Sequence, residues 1–185
     1  MSVIVIEFIT LDGIVSDPDG SGGTPGGGWA FRHGPGTVAG DKFRLGSVLD
    51  NGVMLLGRRT WELFSRLWPG RGDPFSARMN AIPKVVASRT LTDVSAWANS
   101  RVIDGDLAGA VKREQRDVII TGSLSVVHAL MAGDLVDEYR LLTFPSILGT
   151  GERLFPAGGP PAYLECLSAG RAGAAVLTRY RRAAR

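Results

Sequence analysis

The sequence predicts an α/β fold: a mixed, mostly parallel sheet with flanking helices and an antiparallel edge built from the last strands. Three observations carry that prediction. Short apolar, β-branched runs recur early in the chain (VIVIEFI, VMLL, KVVAS, DVIIT), as strands buried on both faces do. Helical patterns separate them. Late in the chain, strand-like runs follow one another with turns between, as antiparallel neighbours do.

Residues 3–9, VIVIEFI, are nearly all apolar and form the first strand. Residues 12–36 are rich in Gly, Pro and Asp and have little periodicity. Trp29 and Phe31 give this segment more purpose than a linker, so a mobile lid that lays its aromatics over a site is expected. A helix is predicted from about Thr37 to Asp50. Asp41, Leu45, Val48 and Leu49 fall on one face of it, which turns Asp41 inward. Gly52 ends that helix. VMLL is the second strand, and RTWELFSRLW reads as a helix. Asp73-Pro74 starts another, with proline at the first helical position.

KVVAS, residues 84–88, is a strand, and residues 106–115 form a helix capped by Asp104 or Asp106. DVIIT, residues 117–121, is again a buried strand. Gly122-Ser123 opens a helix whose Val126, Val127, Leu130 and Met131 form an apolar stripe, and Gly133 closes it. Residues 136–148 are strand-like up to Pro145. AYLECLSAG and AAVLTRYRR are two closing strands, with a turn at 170–173. No repeat or linker divides the chain, so residues 1–185 are expected to form a single domain.

Composition narrows the function. The chain has 185 residues, 44% hydrophobic and 21% charged, enough for a full core. No apolar run nears the roughly 20 residues that span a bilayer, and the start has no basic leader or cleavage motif. No membrane partner is expected. Cys166 is the single cysteine, which fits a reducing cytoplasm. The net charge of +3 is scattered except in the tail TRYRRAAR, read as a solvated strand with a frayed end. No zinc-finger, helix-turn-helix or RNA-binding signature is present, so no nucleic-acid partner is expected. The two histidines, His33 and His128, are too few for a typical metal site, and no metal is expected.

Two strand-to-helix junctions carry the chemistry. In LLGRRTWE an apolar strand empties into Gly57, Arg58, Arg59 and Thr60. A helix N-terminus offers unpaired N–H groups and a positive dipole end, and Gly57 lets a ligand approach the backbone. Arginines and a hydroxyl suit phosphate oxygens. The second junction, Thr121-Gly122-Ser123-Leu124-Ser125, repeats the arrangement, and a third strand ends in Ser88-Arg89-Thr90. Any one of these is equally an ordinary turn or a serine cap. Three together suit a ligand with several phosphates, such as a dinucleotide with an extra one. Neither GxGxxG after the first strand nor GxxxxGK[ST] is present, which excludes a dinucleotide fingerprint and a P-loop.

The order TLDG, GGWAF, LLGRRTWE, KVVASRTL, VIITGS and DEYRLLTFPSILGTGERLF resembles the dihydrofolate reductase fold family over nearly the whole chain. It is most similar to the branch of the C-terminal reductase domain of the bifunctional riboflavin-biosynthesis deaminase–reductase. The resemblance implies a dihydrofolate reductase-like sheet and a reductase that takes hydride from NADPH. It assigns Gly57, Arg58, Thr60, Ser88 and Arg89 to the adenosine and phosphate end. It assigns Gly122, Ser123, Leu124 and Ser125 to the pyrophosphate and nicotinamide region. Asp41 matches a carboxylate that assists protonation of the substrate, Thr143 a threonine beside it, and Trp29 an aromatic near the same pocket. An Asp early in a helix would equally serve the helix dipole.

The implied substrate is a small molecule with a C=N or C=O carbon, a flat heterocycle or a ribosylamino-pyrimidine. A homodimer is also implied. The zinc signature of the deaminase half is absent. The competing reading is a non-catalytic module that binds a nucleotide, folate or flavin.

Overall fold

The computed structural model describes residues 1–103, 105–159 and 161–183. The chain divides into two compact units: Met1–Val5 with Leu45–Asp137, and Ile6–Arg44 with Glu138–Arg185. Strand β1 (Val3–Thr10) begins in the first unit and continues in the second.

The first unit carries β2 (Val53–Gly57), β3 (Lys84–Ala87), β4 (Ser100–Val102) and β5 (Val118–Ile120), in the order β4-β3-β2-β5-β1. Every pairing in it is parallel. Parallel strands need crossovers, supplied between β2 and β3 by α3 (Arg58–Leu67) with α4 (Pro74–Ala81) and between β4 and β5 by α5 (Leu107–Arg113); α6 (Leu124–Ala132) follows β5. The predicted VMLL and DVIIT strands have buried cores because both faces are covered. β4 was not predicted: SRV is short and polar, and it lies at the open edge of the order.

The caps follow the sequence. Asp73 accepts N–H bonds from Phe75 and Ser76 at the start of α4. Asp106 does the same for α5 through the N–H of Gly109; Asp104, the alternative cap, lies outside the described residues. Lys84 is fully buried in β3. Its Nζ donates to the carbonyls of Asn80 (2.6 Å) and Ala98 (3.0 Å) and sits 4.3 Å from the centre of the Trp97 ring. Burial brings its pKa down to about 8.

In the second unit the order is β1-β6-β8-β7, with β6 (Glu138–Phe144), β7 (Leu164–Ala172) and β8 (Ala175–Arg182) antiparallel. The sheet is therefore mixed and mostly parallel with an antiparallel edge, as predicted. Its core gathers Trp29, Leu142, Phe144 and Leu177, with Phe8 and Phe43 packed against them. Beneath it Glu138 accepts from Arg140 Nε (2.6 Å) and from Arg179 Nε (3.1 Å). Arg140 also donates to the carbonyls of Phe43 (3.3 Å) and Arg44 (2.7 Å). A buried arginine with these partners fixes the path of the 43–44 segment.

Two sequence expectations change here. The predicted helix from Thr37 to Asp50 is two short pieces, α1 (Pro35–Val38) and α2 (Ser47–Asn51), with an irregular stretch between. Positive φ at Gly40, Arg44 and Gly46 breaks the helical path. The predicted lid is a packed loop. Trp29 is 1% exposed, donates from Nε1 to the Ser16 carbonyl (2.9 Å) and meets Phe144 edge-on at 5.4 Å. Asp17 gathers the glycine-rich part by accepting from the N–H groups of Gly22 (2.7 Å) and Thr24 (2.9 Å) and from the Thr24 hydroxyl (2.7 Å). Of the two aromatics, Phe31 stays outside, 52% exposed. Replacing Trp29 with Phe keeps most of the packing but strands the Ser16 carbonyl. We expect a loss of about 1–3 kcal/mol, read as a lower denaturant midpoint at unchanged m.

Candidate functional site

The first unit brings the predicted strand ends together. Gly57 stands opposite Ala87, so β2 and β3 end level, with Arg58 following one strand and Ser88-Arg89 the other. The Gly57 N–H donates to the Gly122 carbonyl (3.2 Å), which sets the β5 exit next to the β2 exit. Helices α3 and α6 start there, at Arg58 and Leu124.

Neither helix start is capped by the side chain at its own cap position. The α3 cap position is Gly57, which has no side chain to cap with. The α6 cap position is Ser123, yet its hydroxyl makes no bond to its own helix. It reaches across instead, 3.1 Å from Thr60 Oγ1, and accepts from the Thr60 N–H at 3.4 Å. The plain serine cap considered for this position is thus absent. Apart from the Thr60 N–H, which Ser123 takes, neither helix start has a side-chain cap, whereas α4 and α5 have aspartate caps.

Glycine is needed at both junctions for closeness. A Cβ on Gly57 would lie 2.6 Å from Ser123 Cβ, and one on Gly122 would lie 2.9 Å from Thr60 Oγ1. Gly122 also has a φ of 103°, and the Gly122–Ser123 peptide is cis. Around this cradle Arg58, Arg59, Arg89 and Ser125 are exposed, while Thr60, Ser88, Thr121, Ser123 and Leu124 are partly buried. Arg58 shares its charge with Glu62 at 3.3 Å, an exposed i,i+4 pair that a stronger anion can displace. Ser88 is less available, since its Oγ already accepts from the N–H groups of Thr90 (3.2 Å) and Leu91 (2.9 Å). Free first-turn N–H groups, a glycine floor and exposed guanidinium groups are a donor set that fits phosphate oxygens.

The substrate-side candidates lie in the second unit. Asp41 sits in the irregular stretch between α1 and α2, so the helical-face argument for it fails. Trp29 is a core residue that holds its loop. Thr143 lies in β6, partly buried. Alternation along β6 gives it the face opposite Leu142 and Phe144, which belong to the core with Phe8 and Phe43.

The TLDG motif is structural. Asp12 accepts from the Thr10 hydroxyl (2.6 Å) and from the N–H groups of Leu148 (3.2 Å) and Gly149 (2.7 Å). The Thr10 bond first, then the Gly149 N–H, hold its pKa down to about 2. Among the described residues no group of three or more His, Cys, Asp or Glu is placed to hold a metal.

One polar residue escaped the sequence reading. Glu7 is partly buried in the middle of β1 and has no hydrogen-bond or ion-pair partner among the described residues. Desolvation pushes its pKa up from 4.5 to about 8. The available signal was the lone carboxylate in the apolar run VIVIEFIT.

Known proteins agree with this architecture. The family model "RibD C-terminal domain" matches residues 1–178. The uncharacterized protein YyaP of Bacillus subtilis is 27% identical over 111 residues, which is 56% of this chain and 58% of that protein. A putative riboflavin biosynthesis protein from Shewanella sp. PV-4 superposes with a TM-score of 0.77 at 20% identity, over 100% of both chains. Acinetobacter baumannii RibD gives a TM-score of 0.62 at 14% identity, over 98% of this chain and 58% of that one. The chain thus spans little more than half the length of YyaP or of that RibD chain. At these identities the two structures speak for the fold, and the family model speaks for membership: the chain belongs to the RibD C-terminal domain family.

Proposed function

We propose that this protein is an NADPH-dependent reductase that transfers hydride to a C=N or C=O carbon of a small heterocycle or ribosylamino-pyrimidine. The observation that carries the reading is the pair of uncapped helix starts, α3 and α6, joined by Ser123 and floored by Gly57 and Gly122. Such a site takes the pyrophosphate of a dinucleotide. Arg58 and Arg89, at neighbouring strand ends, select the 2′-phosphate that distinguishes NADPH from NADH. When bound, NADPH supplies the hydride. The chain's own residues hold its phosphates and leave the backbone room for close approach. Family membership supports a reductase; the cofactor and the substrate class rest on the site. A cytoplasmic homodimer belongs to the same proposal.

The test is a fluorescence titration of the purified protein with NADPH and with NADH. NADPH is expected to bind at least tenfold more tightly. Arg58→Ala with Arg89→Ala is expected to weaken NADPH by about 10–100-fold and NADH far less. Equal affinity for both nucleotides in the wild type would remove the 2′-phosphate role. Failure of both to bind would remove the reductase. A non-catalytic module would bind NADPH in the same cradle and oxidise none of it with any substrate offered.

A further inference from the structure

The antiparallel part of the sheet has a face that its core does not use. Leu142, Phe144 and Leu177 turn to the face packed with Trp29, Phe8 and Phe43. Alternation turns Tyr139 and Leu141 of β6, and Thr178 and Tyr180 of β8, to the other. An antiparallel sheet that shows one face to water carries polar side chains there. This face carries rings and leucines instead. Tyr139, Leu141, Phe155, Tyr163, Leu164 and Tyr180 line a groove of about 330 Å3, wholly within the second unit. Tyr139 and Leu141 are buried, while Phe155 is 49% and Tyr163 82% exposed. The Phe155 and Tyr139 rings lie 5.7 Å apart at 60°. Contiguous exposed apolar surface of this kind marks a place where something binds.

Charge selects the occupant. Arg179 donates to Glu138 (3.1 Å), and Arg181 stands across from Glu138 on one side and Glu165 on the other. Both arginines lie on the core side of β8, where acids meet them. Arg182 is on the groove side and stands opposite Leu164. Its charge reaches the Tyr139 hydroxyl: burial pushes that hydroxyl's pKa up, and Arg182 works against the rise. Among the described residues that line the groove none is acidic. A guanidinium group and tyrosine hydroxyls beside stacked rings suit an anion with a flat apolar body. A second copy laid on this face would instead bring a second Arg171 and Arg182 to a face that already has both. Volume sets the size. Small-molecule sites span roughly 300–1,000 Å3, so this groove takes one or two fused rings and not a dinucleotide.

We propose that the groove is a ligand site of its own, for a small aromatic carboxylate. The rings of Tyr139, Phe155 and Tyr163 take the flat body. Arg182 takes the carboxylate, with a tyrosine hydroxyl donating beside it. The site uses none of the residues of the phosphate cradle, and it stands whether or not the chain is a reductase.

The test is a calorimetric titration with 2-naphthoate. Wild type is expected to bind it saturably, with a Kd below about 1 mM. Arg182→Gln is expected to weaken it by about tenfold or more, and 2-naphthamide, with the same rings and no charge, to bind wild type as weakly. Arg181→Gln, on the opposite face, is the control and is expected to match wild type. Leu164→Trp fills the groove and is expected to abolish binding. Wild type that ignores 2-naphthoate overturns the assignment, as does Arg182→Gln or Leu164→Trp that binds it equally well. Naphthamide that binds as tightly as naphthoate makes the groove a plain apolar patch and overturns it too. Sedimentation of wild type and Tyr163→Asp covers the other occupant. A dimer that falls to a monomer in the variant means that a second copy covers the groove, and the ligand assignment is then wrong.

Discussion

Gly57→Ala should abolish tight NADPH binding and lower stability together. The reason is contact and not backbone freedom, because Gly57 has φ −75° and ψ 161°, open to any residue. The added methyl would lie 2.6 Å from Ser123 Cβ and 3.0 Å from Ser123 N. Neither atom can yield easily: Ser123 starts α6 and is bonded to Thr60 at the start of α3. The two helix starts must part, and with them the N–H groups proposed to hold pyrophosphate. Overpacking of this kind costs about 1–3 kcal/mol, and displaced donors should weaken NADPH by at least tenfold. Gly170→Ala in β7 is the control, since its methyl would meet nothing within 4 Å. That variant should match the wild type in both measurements. If Gly57→Ala binds NADPH normally, the dinucleotide does not lie over this junction.

The cradle was legible in the sequence because its chemistry is local. A buried apolar run ending in glycine, then hydroxyl and arginine, then a helical pattern, states both the strand exit and the donors in a few residues. The α/β order was legible for the same reason: VMLL and DVIIT are short continuous apolar runs bounded by turn residues, as strands buried on both faces are. What was lost depended on tertiary partners. Asp41 matched a helical face by spacing, yet Gly40, Arg44 and Gly46 take positive φ and no helix joins the two short pieces. Two glycines lay in view; the left-handed Arg44 could not be read from residue type. Trp29 suggested a lid because its neighbours are glycines, but a large aromatic in a long loop is also what anchors that loop to a core. The Ser123–Thr60 bond joins residues 63 apart in sequence, which no local pattern announces.

Removing the charge at Glu7 should make the protein more stable in alkaline solution. In the folded chain its pKa is about 8, against an ordinary value of 4.5, and the cause is desolvation. The folded state therefore holds the proton more tightly than the unfolded state does. Stability is unaffected by this group below pH 4.5. It falls as pH rises through the window from about 4.5 to about 8, and the loss is complete above that. A shift of this size corresponds to a few kcal/mol, roughly 3–5, with partial exposure favouring the lower figure. Glu7→Gln removes the titration, so its denaturant midpoint should exceed that of the wild type by a growing margin from pH 5 to pH 9, and the two should converge at pH 4. Identical pH profiles for both proteins would mean that Glu7 is solvated like any surface carboxylate. A strand of otherwise apolar and hydroxyl side chains thus carries one acid that weakens the fold as it ionises, with no partner to offset its burial among the described residues.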